Sequence, residues 1–126
     1  RMWHEAKKVI ETLDIAIPRL DLPVRALSGG QRQAVAIGRA IFWNAEVLIM
    51  DEPTAALGVP EQRKVLALIG SLKAASKAVI FVSHNLGDIF AVADRILVLR
   101  RGRKAGERRA AETDGDEIVR FMVGAA

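Results

Sequence analysis

Cysteine and tyrosine are both missing from the 126 residues, and aromatic side chains make up only 5%. Without cysteine, no disulfide framework and no thiolate zinc site can form, which fits a reducing compartment. No apolar run approaches the roughly 20 residues of a membrane-spanning helix. The longest are segments such as Val47–Met50 and Ala78–Val82, so any membrane role passes through a partner. Nothing near Arg1 reads as a signal peptide, and a start at arginine is what a cut inside a longer chain would leave. No lysine follows a glycine: the lysines stand at 7, 8, 64, 73, 77 and 104. A Gly-Lys-Ser/Thr loop that cradles phosphates is therefore excluded.

The residues that are present describe an ordinary globular chain. Its length suits one domain, and 51% hydrophobic with 27% charged residues is not a disordered composition. Nineteen Lys and Arg against fifteen Asp and Glu give a net charge of +4, a mild excess that suits acidic partners such as phosphates and does not by itself argue for DNA.

Met2, Ala6, Val9, Ile10 and Leu13 recur at helical spacing, with Glu5, Lys7, Lys8 and Glu11 facing outward; core is the simplest place for Trp3. Pro18 and Pro23 hold 15–26 out of regular helix. Ser28 is a good N-cap for a helix over 31–43, with Ala34, Ile37, Ala40 and Ile41 inward. Three short apolar runs follow, at 47–50, 78–82 and 95–99. They are nearly continuous rather than alternating, as expected of parallel strands covered on both faces. A helix over 61–74, with Pro60 at its start and Leu66, Leu68, Ile69 and Leu72 apolar, and a shorter one over 86–93 separate them. Arg101-Gly102 permits a tight turn and an antiparallel return over 103–109. Asp114 caps a last amphipathic helix through Ile118, Val119 and Met122.

Three clusters carry chemistry. In Ser28-Gly29-Gly30-Gln31, at a loop-to-helix junction, the glycines allow close backbone approach and tolerate positive φ. The serine hydroxyl and free helix-start N–H groups suit one phosphate; a simply capped helix is the competing explanation. In Val47-Leu48-Ile49-Met50-Asp51-Glu52, a buried strand ends in two acids at the edge where such sheets bind ligands. Asp51 is the better magnesium partner and Glu52 the better base, although two acids can merely open a loop. His84, in Ser83-His84-Asn85, follows another strand and can bond a terminal phosphate, or can simply be exposed.

Taken in order and spacing, the three resemble the ABC ATPase family over nearly the whole chain: its signature sequence, its Walker B strand with the adjoining glutamate, and its H-loop histidine. The resemblance implies an α/β, P-loop NTPase (RecA-like) ABC ATPase core, incomplete, with part of the helical signature subdomain. It divides the chain into a helical and signature portion over 1–44, a sheet core with its hairpin over 45–111, and a C-terminal helix over 112–126. It also implies that Ser28, Gly29, Gly30 and Gln31 contact the γ-phosphate side of an ATP held by the opposite ATPase domain. Asp51 would hold Mg2+ through water, Glu52 would polarise the attacking water, and His84 would sense the γ-phosphate. The partners implied are a second ATPase domain, membrane permease subunits and, indirectly, a solute-binding protein, with the parent protein cytoplasmic and peripheral on the membrane.

The segment 53–58 falls at the family's D-loop, where Ala55 and Gly58 replace the usual serine and aspartate. That leaves a side-chain bond across the dimer in doubt at this loop. The Ala-Ala-Leu-Gly form, with Ser-His-Asn-Leu further on, resembles the branch that powers bacterial monosaccharide importers. In proteins of this kind the phosphate-loop strand lies between the strand ending at Ser83 and the one ending near Leu99. Alone, the chain is thus expected to be inactive as an ATPase, and either to be only marginally stable or to swap or associate to cover its open strand edges. Two other readings compete: a non-transport ABC protein of DNA repair or translation, and a nucleic-acid-binding module built on Arg100, Arg101, Arg103, Lys104, Arg108 and Arg109. The basic cluster lacks interleaved aromatics, so nucleic acid is not expected as a partner.

Overall fold

A computed structural model describes residues 1–12, 17 and 19–125; Leu13 and Pro18 lie outside the described residues. The chain forms two compact units, Arg1–Val82 and Ser83–Ala126.

In the first unit, helix α1 (Met2–Thr12) precedes a short 3-10 turn at Val24–Ala26 and helix α2 (Gly29–Phe42). Val9 and Ile10 of α1 are half-buried as the periodicity predicts, but Trp3 is 53% exposed and does not join the core. The two helices leave a shallow apolar groove of about 260 Å³ between them, lined by Ala6, Val9, Ile10, Val35, Gly38 and Phe42 among others. Helix α2 starts two residues before the expected Gln31, because Ser28 caps it and both glycines enter its first turn. Ala34 and Ile37 are buried, with Ala40 and Ile41 half-buried.

Strands β1 (Val47–Asp51) and β2 (Ala78–Val82) pair in parallel, Val47 opposite Ala78 and Asp51 opposite Val82. Between them runs helix α3 (Val59–Ala74), whose second residue is Pro60 and whose Val65, Leu68, Ile69 and Leu72 are buried; Leu66 is half-buried. The sheet departs from the sequence expectation. Leu48 and Met50 are buried, but Val47, Ile49, Ile80 and Val82 on the alternate positions are exposed. Continuous apolar runs predict two covered faces, yet the described elements of this unit cover one.

The second unit holds helix α4 (Leu86–Val92), strands β3 (Arg95–Arg100) and β4 (Arg103–Arg109), a 3-10 turn at Ala110–Glu112 and helix α5 (Gly115–Val123). Among the described residues of this unit, β3 pairs with β4, antiparallel, with an irregularity between Val98 and Leu99. Arg101 and Gly102 take the positive φ values of the predicted tight turn, 52° and 76°. Ile96, Val98 and Ile118 form a small core with Leu86, Ile89, Phe90 and Phe121 packed around it. Asp114 caps α5, its carboxylate accepting from the Glu117 amide at 2.9 Å. Of the residues expected inward on α5, Ile118 is buried, whereas Val119 and Met122 are exposed and Phe121 packs in their stead.

Candidate functional site

Ser28 sits on the surface at the start of α2. Its Oγ accepts from the Gln31 amide at 3.2 Å, and its own amide donates to Gln31 Oε1 at 2.9 Å. This reciprocal capping box satisfies two of the helix's free donors. Gln31 thereby holds Ser28 through its Oε1, while the Gly29 and Gly30 amides at the helix start belong to the donors that no helical carbonyl reaches. The tip is thus a capped helix and an exposed, positively polarised helix end at once.

Packing is one purpose of the glycines, and the positive φ that their sequence allows is not used. Neither has a positive φ. A Cβ on Gly29 would lie 2.6 Å from Leu57 Cδ2, and one on Gly30 would lie 3.3 Å from Glu61 Cβ and Cγ. They are small because the loop after β1 and the start of α3 press against them. The tip and the segment 52–61 are therefore one packed element within this unit.

Arg32 steadies the tip from the other side. Its guanidinium donates to the carbonyl oxygens of Val24, Arg25 and Leu27 at 3.0–3.3 Å, fixing the chain that leads into Ser28. Gln62 Nε2 donates to the Leu57 carbonyl at 3.1 Å and ties the far end of the loop to α3. Leu57, Glu61, Arg32 and Gln62 were not singled out from sequence. An arginine four residues past an N-cap was the only local hint of any of them.

Asp51 ends β1 in an exposed position, and Glu52 follows half-buried. The Glu52 amide donates to the Val82 carbonyl at 2.7 Å while its φ is +49°, in the left-handed region. A non-glycine residue there costs on the order of 1–2 kcal/mol, and the bond to β2 helps hold it. The turn sets the two consecutive acids at different exposures. Behind them Pro53 and Thr54 are buried, so the acids stand on a rigid base. Among the described residues no three His, Asp or Glu side chains gather into a metal cage. A magnesium ion needs only one or two carboxylates when phosphates and water complete its shell, and the Asp51–Glu52 edge fits that requirement.

His84 belongs to the second unit, where it is exposed just before Asn85, whose Oδ1 caps α4 by accepting from the Asp88 amide at 3.1 Å. In the same unit the basic cluster is partly spent internally. Lys104 bonds Glu107 at 3.0 Å, and Arg108 bonds Glu117 at 3.1 Å while its guanidinium lies 4.9 Å from the centre of the Phe121 ring. Lys104, through its hydrogen bond and its charge, holds the Glu107 carboxyl below the usual glutamate value.

Residues 1–55 match the family described as ABC transporter. Solved ABC-transporter cassettes superpose with TM-scores of 0.72 to 0.80. One is the dimeric, post-hydrolysis ATP-binding cassette MJ0796 bound to ADP and Pi: 28% identical, TM-score 0.72, with 85% of this chain and 46% of that one covered. The chain is similar to the ATP-binding proteins of ABC transporters, and it has the fold of about half of a solved cassette. Curated relatives of similar sequence are named for sugar import. The xylose/arabinose import ATP-binding protein of Sulfolobus acidocaldarius is 46% identical over 97% of this chain. A ribose import ATP-binding protein of Burkholderia cenocepacia is 44% identical over 98%. The chain spans about half the length of the first relative, 49%, and 24% of the second. No described helix is long and apolar enough to cross a membrane.

Proposed function

We propose that this chain is the signature- and Walker-B-bearing part of an ATP-hydrolysing subunit that drives sugar import through a membrane permease. The observation that carries the reading is the packed element of the first unit, in which an exposed capped tip and an acid-tipped strand are joined through one loop. The importer relatives supply the transport class, and the dimeric cassette supplies the pairing of two such domains.

In this reading Ser28, Gly29, Gly30 and Gln31 meet the γ-phosphate of an ATP held by the facing domain. Donors fixed in advance at a helix start stabilise charge there without reorganising. Asp51 would hold Mg2+, Glu52 would orient and polarise the attacking water, and His84 would bond the γ-phosphate. When bound, Mg·ATP supplies the phosphoryl group and the charge neutralisation that its transfer requires. The subunit is peripheral, held at the cytoplasmic face of the membrane by its permease, and a solute-binding protein contributes indirectly.

The chain has no Gly-Lys pair to cradle the β- and γ-phosphates, so it is inactive alone and active only with a phosphate-loop half. The test is ATP turnover with Mg2+, measured on this chain alone and on the complete cassette. Turnover appears only in the complete cassette, and Glu52→Gln lowers it by about 10²-fold or more. Turnover by the isolated chain that Glu52→Gln abolishes would overturn the reading.

A further inference from the structure

Gly58 has an ordinary extended backbone, φ −69° and ψ 165°, which any residue adopts. Its missing side chain needs a different reason. A Cβ built there would stand 2.8 Å from Glu61 Oε2, so the Glu61 carboxylate fills the volume that a side chain at 58 would take. The stem of the same residue lies against the tip, through Gly30. Glu61 is the third residue of α3, where a glutamate commonly reaches back to bond the N-cap amide. Here its half-buried carboxylate makes no hydrogen bond or ion pair with any described residue. The helix dipole favours a negative charge at this end, and the carboxylate keeps its acceptor sites for a group outside the unit.

We propose that Glu61 is the residue through which the Ser28–Gln31 tip engages a hydrogen-bond donor on the facing domain, its carboxylate standing where a side chain at position 58 would stand. The proposal rests on the dimeric reading above. A nucleotide phosphate is the wrong counterpart, since like charges at this range repel. The complement is a backbone N–H or a basic side chain on the opposing protein surface. Glu61 is a positioning residue in this scheme: it fixes how the tip meets its partner and does not touch the reacting atoms.

The test measures ATP turnover and melting temperature in the complete cassette. Glu61→Gln keeps the shape and removes the charge. A charge-assisted hydrogen bond contributes enough that turnover falls by about tenfold or more, while the melting temperature holds. Gly58→Ala gives the same pattern, because its methyl's one close contact is the mobile end of Glu61, with Pro60 Cδ at an ordinary 3.8 Å, and it pushes the carboxylate aside. The pair Gly58→Asp with Glu61→Ala returns an acid to the vacated place and restores most of the turnover. If Ser28→Asp abolishes turnover while Glu61→Gln leaves it at the parent rate, the proposal fails and the dimeric reading stands. If neither variant matters, the dimeric reading fails first. If Glu61→Gln lowers turnover only together with the melting temperature, and the paired variant rescues neither, Glu61 is merely structural and the proposal is overturned.

Discussion

Replacing Gly29 with alanine tests how the tip is built. The added Cβ would lie 2.6 Å from Leu57 Cδ2, against an optimum near 3.5–4.0 Å for two carbons. Tip or loop must give by about 1 Å. Overpacking of this kind costs about 1–3 kcal/mol. Alanine in place of glycine in a helix returns up to about 1 kcal/mol, and less in a first turn. The net loss is roughly 0.5–2 kcal/mol, read as a shift in the urea midpoint at unchanged slope. Leu57→Ala alone also destabilises, by lost burial, but it opens the space that the new methyl needs. The double variant is therefore less damaging than the sum of the singles by about 1 kcal/mol, a coupling that only residues in contact show. Additive costs, or a Gly29→Ala variant more stable than the parent, would refute the packing of Leu57 on the tip.

Two further outcomes follow from the rest of the chain. Because Lys104 holds the Glu107 carboxyl low, the pair stabilises the hairpin at neutral pH, and that contribution disappears as pH falls through the lowered Glu107 value. Lys104→Ala moves the Glu107 midpoint back toward the ordinary glutamate value in a carboxyl NMR titration, and an unmoved midpoint would count against the assignment. Val47, Ile49, Ile80 and Val82 form an exposed apolar sheet face, so the isolated chain self-associates. Sedimentation at rising concentration shows this, and a paired Ile49→Lys and Ile80→Lys variant remains monomeric. A parent chain that stays monomeric throughout removes the prediction.

The elements of this fold were largely legible in the sequence because their signals are local. Ser28 and Asp114 cap the helices they precede, and Arg101-Gly102 makes the hairpin turn. What remained hidden depends on neighbours. The exposed alternate positions of β1 and β2 cannot be told from buried ones by residue type, since an apolar run records what a strand is suited to meet and not what lies on it here. Val119 and Met122 fit the helical spacing as well as Phe121 does, and only the presence of Ile96 and Val98 beneath α5 decides among them. The candidate site divides in the same way. Its acids, serine and histidine stand in recognisable strings, whereas Leu57 and Glu61 act through residues some thirty positions away, a distance at which a single sequence carries no pairing signal.

Ser28→Asp in the complete cassette separates the structural role of the tip from its proposed contact with phosphate. Aspartate caps a helix about as well as serine, so the melting temperature stays within a degree or two of the parent. It also places a negative charge where the γ-phosphate is proposed to bind, and ATP turnover is expected to fall by about 10²-fold or more. Unchanged turnover in a folded Ser28→Asp cassette would contradict the proposed contact.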